Sequence, residues 1–192
     1  MIGRARRLAA LLLAALPACA ESPAGPLDRE TLLTLLETHG DARGRDHSGT
    51  WSTQFDLVEC TCPEDFPLVC YGVELPMPLS GSLQLVQSDG VLLARAVSSP
   101  AAPVAPLELL GPLQQDGSFS LALVELAQTV GVSSWVHARF DGAFEPAATA
   151  DAPATHAAGT LEVRTHVHLG VALEGRHQDT VCGATYEIVA SR

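Results

Sequence analysis

Apolar and polar residues alternate along much of the chain, which is the pattern of half-buried β-strands. The clearest case is a predicted hairpin at Pro112–Leu126, reading PLQQDGSFSLALVEL. Its second arm places three large apolar side chains on one face: Phe119, Leu121 and Leu123. A three-residue loop with Gly117 in the left-handed region adds Leu113 and Leu109 to this face. A two-residue turn would add polar Gln114 instead, so we predict the three-residue loop.

The Asp-Gly dipeptide of this hairpin recurs at Asp89-Gly90 and Asp141-Gly142, each time between apolar-rich runs. At Asp89-Gly90 a two-residue turn would align two apolar faces, formed by Leu83 and Leu85 before it and by Leu92, Ala94 and Ala96 after it. Three such turns at near-regular spacing are typical of consecutive antiparallel hairpins. They favour a meander over a fold with parallel strands and crossover helices.

Further strands are predicted from the same alternation. The first begins at Gly49, and its predicted inward side chains are Trp51, Thr53, Phe55 and Leu57. The penultimate strand runs over Thr160–Leu173, with Leu161, Val163, Thr165, Val167 and Leu169 inward. The final strand lies near Val181–Ala190, with Cys182, Ala184, Tyr186 and Ile188 on one side. Ser98–Pro106 and Glu145–Gly159 lack periodicity and are predicted to be exposed loops, the second with a composition that favours disorder.

One helix is predicted at Leu27–Gly40, with Asp28 as N-cap and Gly40 as its stop. Leu32, Leu35 and Leu36 share a face that would cover one end or side of the sheet. Residues 27–192 are long enough for one domain of seven to nine strands, in about the usual size range. We predict a mainly β fold: a single antiparallel β-barrel or strongly curled meander sheet with one short N-terminal helix, because closing the sheet removes exposed strand edges.

The first 18 residues have the features of a secretory signal peptide, with arginines before the apolar run Leu8–Leu16 and small residues after it. The run is shorter than the roughly 20 residues that a membrane span needs. Leu16-Pro17-Ala18-Cys19 resembles the lipobox of bacterial lipoproteins, although Pro17 departs from the small or β-branched residue usual there. The resemblance implies cleavage by signal peptidase II before a diacylglycerol-bearing Cys19 and a lipid-anchored tether at residues 19–26. An ordinary cut after Ala20 would discard Cys19 and give a secreted protein.

The amino-acid composition indicates the kind of organism that the protein comes from and the charge of its surface. The chain has no lysine, no asparagine and only two isoleucines, which is typical of a bacterium with a high-GC genome. Removing residues 1–18 takes away three of the 11 basic residues and leaves all 22 acidic ones. Such an acidic surface disfavours nucleic acid and anionic lipid headgroups as partners. We expect a bacterial envelope protein, lipid-anchored to a membrane, with the outer membrane or cell surface favoured.

Four cysteines remain whichever cleavage occurs: Cys60, Cys62, Cys70 and Cys182. In an exported chain an even number favours two disulfides over a four-cysteine zinc site, and the paired Cys-x-x-Cys spacing of zinc knuckles is missing. Antiparallel pairing of the first and last strands favours Cys60 with Cys182 and Cys62 with Cys70. The alternative, Cys60 with Cys70 and Cys62 with Cys182, is nearly as good. A Cys60–Cys62 bridge is the least favourable because neighbours two apart on a strand are too stretched.

Gly49-Thr50-Trp51 resembles the Gly-x-Trp motif that opens the first strand of lipocalins, which are barrels that hold small apolar ligands. The resemblance covers these residues and the meander pattern, and the family's Thr-Asp-Tyr motif is not present. The alternative is that Trp51 is an ordinary core residue. His166 and His168 share an outer strand face, as metal ligands would, but no third ligand follows from the sequence, so we expect a polar surface and neither metal nor cofactor.

No spacing in the chain singles out a nucleophile and base, so we expect binding and not catalysis. The favoured function is an envelope lipoprotein with a structural or protein-interaction role, whose barrel is filled by its own side chains. The alternative is a lipocalin-like carrier of a small apolar ligand, and an envelope enzyme is less favoured. If the barrel is accessible, its predicted lining is Trp51, Phe55, Leu57, Phe119, Leu121, Leu123, Leu161, Val163 and Val167.

Overall fold

The computed structural model describes residues 27–63, 70, 79–97, 108–129, 132–146, 154–169 and 179–192. Within these ranges it has one helix, α1 (Arg29–Glu37), and eight strands. The strands are β1 (Gly49–Cys60), β2 (Leu79–Ser88), β3 (Val91–Ala96), β4 (Glu108–Pro112), β5 (Ser118–Thr129), β6 (Val132–Phe144), β7 (His156–Leu169) and β8 (Asp179–Ser191). Each pairs antiparallel with the next, and β1 also pairs with β8, so the sheet closes into a barrel. The predicted mainly β fold, a single antiparallel barrel with one short N-terminal helix, is confirmed.

Two of the three predicted Asp-Gly turns are confirmed. Asp89-Gly90 joins β2 to β3 in the two-residue register, with the predicted apolar faces aligned. Leu113 pairs with Phe119 across the second turn, and Gly117 has a φ of 89°. This is the three-residue loop, because a left-handed glycine completes the bulge. Leu113 is consequently buried inside the barrel beside Phe119.

The third predicted turn, Asp141-Gly142, is wrong because both residues lie inside β6. The Asp141 carboxylate lies 2.7 Å from the Arg139 guanidinium on the outer face, so its charge has a partner within the same strand. Gly142 faces the lumen opposite Phe119, and a Cβ there would lie 2.7 Å from the Cζ of that ring. This glycine therefore makes room for an aromatic side chain, which is a second reason for glycine in a strand. The chain instead reverses between the end of β5 and the start of β6.

The predicted inward faces agree with the burial pattern, but some strand bounds do not. β7 begins at His156, so Ala157–Gly159 belong to a strand and not to the predicted loop. Ala157 is buried in the lumen, which explains how a segment of small residues adds to the core without a strong apolar signal. The described parts of the structure exclude the side chain of Leu169 and residues 98–106, 147–153 and 170–173, so the predictions for them stay untested.

Helix α1 begins as predicted, with Asp28 as its N-cap. The Asp28 carboxylate accepts hydrogen bonds from the backbone N–H of Thr31 at 2.9 Å and from its hydroxyl at 2.6 Å, and these bonds lower the pKa of Asp28. The helix ends at Glu37, before the predicted stop at Gly40. Leu32 is fully buried against Ala122, so the helix covers the outer wall of β5.

The segment that follows the helix, residues 38–48, closes one end of the barrel, which we call the capped end. The Gly40 N–H donates to the Gly90 carbonyl at 2.9 Å, and the Ala42 N–H donates to the Leu113 carbonyl at 3.1 Å. His47 is buried and stacks on Phe144 with 3.9 Å between ring centroids. These contacts give an aperiodic, charged segment a fixed position, although its sequence indicated only a turn-like connection.

Candidate functional site

The cysteines lie at the end of the barrel opposite the capped end. A β-bulge between Leu57 and Glu59 shifts the pairing of β1 with β8 by one residue. Pairing then continues past the end of β1, where the Thr61 N–H donates to the Gly183 carbonyl at 2.8 Å. Because Thr61 lies opposite Gly183, Cys62 lies opposite Cys182 at the seam between the first and last strands.

The two disulfides join Cys60 to Cys70 and Cys62 to Cys182, with Cα–Cα distances of 5.7 and 4.3 Å. The favoured prediction, Cys60 with Cys182, is wrong, and the alternative agrees with the structure. The reason is the extended register, which carries Cys62 and not Cys60 to the position facing Cys182. The sulfurs of Cys60, Cys62 and Cys70 lie within 4.8 Å of one another, but all are engaged in disulfides and offer no thiolate for a metal.

Large side chains fill the capped half of the lumen. Four of them are fully buried: Trp51, Leu92, Leu113 and Leu121. The Phe119 ring lies 5.1 Å from Phe140 and 5.3 Å from Phe144, in the tilted and edge-on arrangements that aromatic rings favour. The Trp51 indole N–H donates to the His47 carbonyl at 3.1 Å, and the Arg192 guanidinium lies over its ring. Trp51 is therefore a fully buried structural residue of the capped end.

In the other half of the lumen, some apolar side chains are only partly covered. Four of its apolar side chains are only half-buried and form what we call the mouth: Phe55, Leu57, Leu123 and Val136. Leu161 is half-buried as well, although its strand neighbours Phe140 and Tyr186 are buried. Glu125 occupies the lumen-facing position after Leu123 on β5 and is exposed. The mouth thus combines an apolar wall with one carboxylate at its edge.

Two hydroxyl groups are buried in the lumen without a hydrogen-bond partner among the described residues, those of Thr53 and Thr165. Thr53 is 2% exposed and Thr165 is 4% exposed, so neither is solvated from outside. A buried hydroxyl without a partner costs free energy, which a water or a ligand atom inside the barrel would recover.

All nine side chains predicted to line an accessible barrel face the lumen, but they divide into two sets. Trp51, Phe119, Leu121, Val163 and Val167 are buried, whereas Phe55, Leu57, Leu123 and Leu161 are half-buried. Only the second set has surface left for a ligand. Ligand lining therefore stays a prediction for those four residues. Val136, a further half-buried side chain of the mouth, was missed because the sequence analysis assigned no inward face to β6.

The outer face of β7 carries His166, as predicted, while the side chain of His168 lies outside the described parts of the structure. The ring centroids of His166 and His137 are 6.0 Å apart. Partial burial lowers the pKa of His166, and the neighbouring His137 and Arg164 lower it further. Among the described residues, the histidines form no group with metal-ligand spacing.

Two depressions lie on the outside of the protein. One, of about 690 Å³, follows the outer wall of β1, β2 and β8 and includes Gln54, Ser82 and Val189. The other, of about 570 Å³, lies at the capped end between residues 42–47 and the β4–β5 loop. His156 and Ser191 both line the first depression, but no hydrogen bond joins a serine hydroxyl to His156 among the described residues, so neither depression shows an activated nucleophile.

The fold defines the class of protein as a closed, eight-stranded antiparallel barrel, which is consistent with the lipocalin-like resemblance in its first strand. No protein-family model matches the chain, and no curated protein matches it either. Among the described residues, no helix is long and apolar enough to cross a bilayer.

Proposed function

We propose that the protein is a bacterial envelope lipoprotein whose barrel is a non-catalytic body with a structural or interaction role. The observation that carries this proposal is the filling of the capped half of the lumen by Trp51, Leu92, Leu113 and Leu121. An eight-stranded barrel has an interior that side chains can just fill, so this one is built as a rigid support. The Cys62–Cys182 bridge adds to that rigidity by joining the segment just after the first strand to the last strand.

Membrane attachment through Cys19 is supported by the signal-peptide pattern and the lipobox resemblance. Each buried methylene of an acyl chain adds about 0.8 kcal/mol, so several chains give stable attachment. Changing Cys19→Ala should release the protein from the membrane fraction. As the matched control, Ala20→Leu removes the small residue that an ordinary cut requires and should leave attachment unchanged. Retention of Cys19→Ala on membranes, or release of Ala20→Leu, would contradict the anchor.

A second candidate function, carriage of a small apolar ligand, is favoured by the mouth and by the unpartnered hydroxyls of Thr53 and Thr165. Pockets of this kind combine apolar walls with a few polar contacts. The Glu125 carboxylate at the edge would repel fatty-acid anions, so the favoured guest is neutral or cationic and carries a hydrogen-bonding group.

Titration with a neutral fluorescent probe, such as a phenyl-naphthylamine, tests the carrier function. Leu123 and Leu126 offer a matched pair on β5, because Leu123 faces the lumen and Leu126 faces outward. Leu123→Glu should abolish saturable binding, whereas Leu126→Glu should leave it unchanged. Equal effects of both changes would place the probe outside the lumen. Absence of saturable binding to the wild type would remove the carrier and leave the structural or interaction role.

A further inference from the structure

The two disulfides contact each other at the end of the barrel opposite the capped end. The Sγ atoms of Cys62 and Cys70, which belong to different bridges, are 3.1 Å apart. Together with the Sγ atom of Cys60, they lie within 4.8 Å of one another. Thiol–disulfide exchange requires a thiolate to attack a bridge sulfur directly. The Cys70 sulfur therefore already lies, in the folded barrel, where it can attack the Cys62–Cys182 bridge.

These four cysteines differ in their exposure to solvent. Cys60 is exposed and Cys62 is half-buried, whereas Cys70 is 5% exposed and Cys182 is fully buried. Access to a bridge sulfur helps to decide which sulfur an incoming thiolate attacks. An external thiolate therefore reaches the Cys60 sulfur most readily, and its attack there expels the Cys70 sulfur as a thiolate.

The surroundings of Cys70 disfavour a thiolate at this position. The Gly183 carbonyl oxygen lies 3.6 Å from the Cys70 Sγ atom, and it also accepts hydrogen bonds from the N–H and the hydroxyl of Thr61. This oxygen carries a partial negative charge, and burial likewise disfavours the ionised form of a thiol. Attack on the adjacent Cys62 sulfur removes the charge from Cys70, so the surroundings favour this second step.

The sulfur that leaves in this second step, that of Cys182, lies beside the Thr165 hydroxyl group. Thr165 is directly opposite Cys182 in the pairing of β7 with β8, and both side chains are buried. Opposite residues of an antiparallel pair have Cβ atoms about 4.5–5.5 Å apart, so the hydroxyl can turn toward the sulfur. The Thr165 hydroxyl has no partner among the described residues and is available to donate a hydrogen bond. Such a donor stabilises a thiolate and makes Cys182 a better leaving group.

We propose that Cys60 is a modification site for small thiols, from which disulfide exchange passes to the bridge at the seam. The ionised thiol attacks the Cys60 sulfur, forms a mixed disulfide there and expels Cys70 as a thiolate. The Cys70 thiolate then bonds to the Cys62 sulfur, the Cys62–Cys182 bond breaks, and Cys182 leaves as a thiolate that Thr165 stabilises and water protonates. The product has one mixed disulfide, one Cys62–Cys70 bridge and one thiol at Cys182. The seam thereby loses its covalent link, and the exchange requires neither the lipid anchor nor a ligand in the lumen.

Two single variants test the exchange without any added thiol. In Cys60→Ala, the Cys70 thiol can attack in mildly alkaline buffer, where part of it is ionised. After acid quenching, alkylation with N-ethylmaleimide in denaturant and non-reducing peptide mapping should find a Cys62–Cys70 bridge and an alkylated Cys182. In the matched control Cys70→Ala, the alkyl group should be on Cys60 and the Cys62–Cys182 bridge should be intact. Any other pattern, including an intact Cys62–Cys182 bridge in both variants, overturns the proposal.

The folded wild-type protein provides a second test in which no cysteine is replaced. Treatment with 2-mercaptoethanol, followed by the same quenching and mapping, should place the mixed disulfide on Cys60 and the alkyl group on Cys182. A mixed disulfide on Cys62 or Cys182 overturns entry at Cys60. An alkyl group on Cys70 alone shows that the first step occurs without the second, and it overturns the exchange.

Two buried threonines provide a matched pair for the leaving step. Thr165→Val replaces the hydroxyl by a methyl group and should slow the appearance of the Cys182 thiol about tenfold or more, because a hydrogen bond to a charged sulfur is lost. Thr53 is the control, since its hydroxyl is also buried without a partner among the described residues but its strand neighbour on β8 is Ala190. Thr53→Val should leave the rate unchanged. An unchanged rate in Thr165→Val, or equal slowing by both changes, overturns the role of Thr165.

Discussion

The disulfide that joins the two ends of the strand order should be the more stabilising one. Cys62–Cys182 closes a loop of 120 residues, whereas Cys60–Cys70 closes a loop of 10. The loop-closure relation gives a stabilisation of about 5 kcal/mol for the long loop and about 3 kcal/mol for the short one. The absolute values depend on the denatured ensemble, so the difference of about 2 kcal/mol is the quantity to measure.

The double variants Cys62→Ala/Cys182→Ala and Cys60→Ala/Cys70→Ala isolate the two loops. Equilibrium unfolding of the full chain in guanidinium chloride, without reductant, should show the larger loss for the first variant. Far-UV spectra of both variants check that the barrel persists. An equal loss, or a larger loss for the Cys60 and Cys70 variant, would refute the reasoning. A Cys60–Cys182 peptide from the wild type would refute the register of the seam itself.

The remaining predictions concern the capped end and the lumen. Burial, and secondarily Arg45, lowers the pKa of His47 below its unfolded value near 6.5, so the stability that neutral His47 contributes is lost as pH falls below about 6.5. His47→Phe should therefore lose less unfolding free energy than the wild type between about pH 7.5 and pH 5 in denaturant titrations, and parallel pH profiles would contradict this. Gly142→Ala should cost about 1–3 kcal/mol because a Cβ there would lie 2.7 Å from both the Ala158 carbonyl oxygen and the Phe119 Cζ, so the backbone and the ring must move. The control Ala143→Val, on the exposed face of β6, should cost less than about 0.5 kcal/mol. Equal melting temperatures for the two variants would show that the lumen has room beside Phe119.

Alternation predicted the barrel because it repeats on nearly every strand, and a closed meander is the simplest way to bury one face of so many strands. It assigned the inward faces of β1, β5, β7 and β8 correctly, and Gly117 fixed the register of the central hairpin. It misjudged Asp141-Gly142 because a glycine that faces an aromatic ring across a strand has the same local sequence as a turn glycine. That distinction depends on Phe119, which is distant in sequence.

The candidate sites were less predictable because they depend on register. The bulge between Leu57 and Glu59 brings Cys62 opposite Cys182, where an uninterrupted register would place Thr61, and no residue type in the segment predicts it. The mouth joins residues from three separate strands, so it exists only once the pairing around the barrel is known. Similarly, the capping segment at residues 38–48 has no periodicity, and its position follows from backbone hydrogen bonds to Gly90 and Leu113.

The lipid anchor is the claim on which the proposed location depends. Mass spectrometry of the protein purified from its native envelope measures it directly, on the intact chain and on its N-terminal peptide. We predict a chain that begins at Cys19 and carries diacylglycerol on its sulfur. A chain that begins at Glu21 without any lipid would contradict the account.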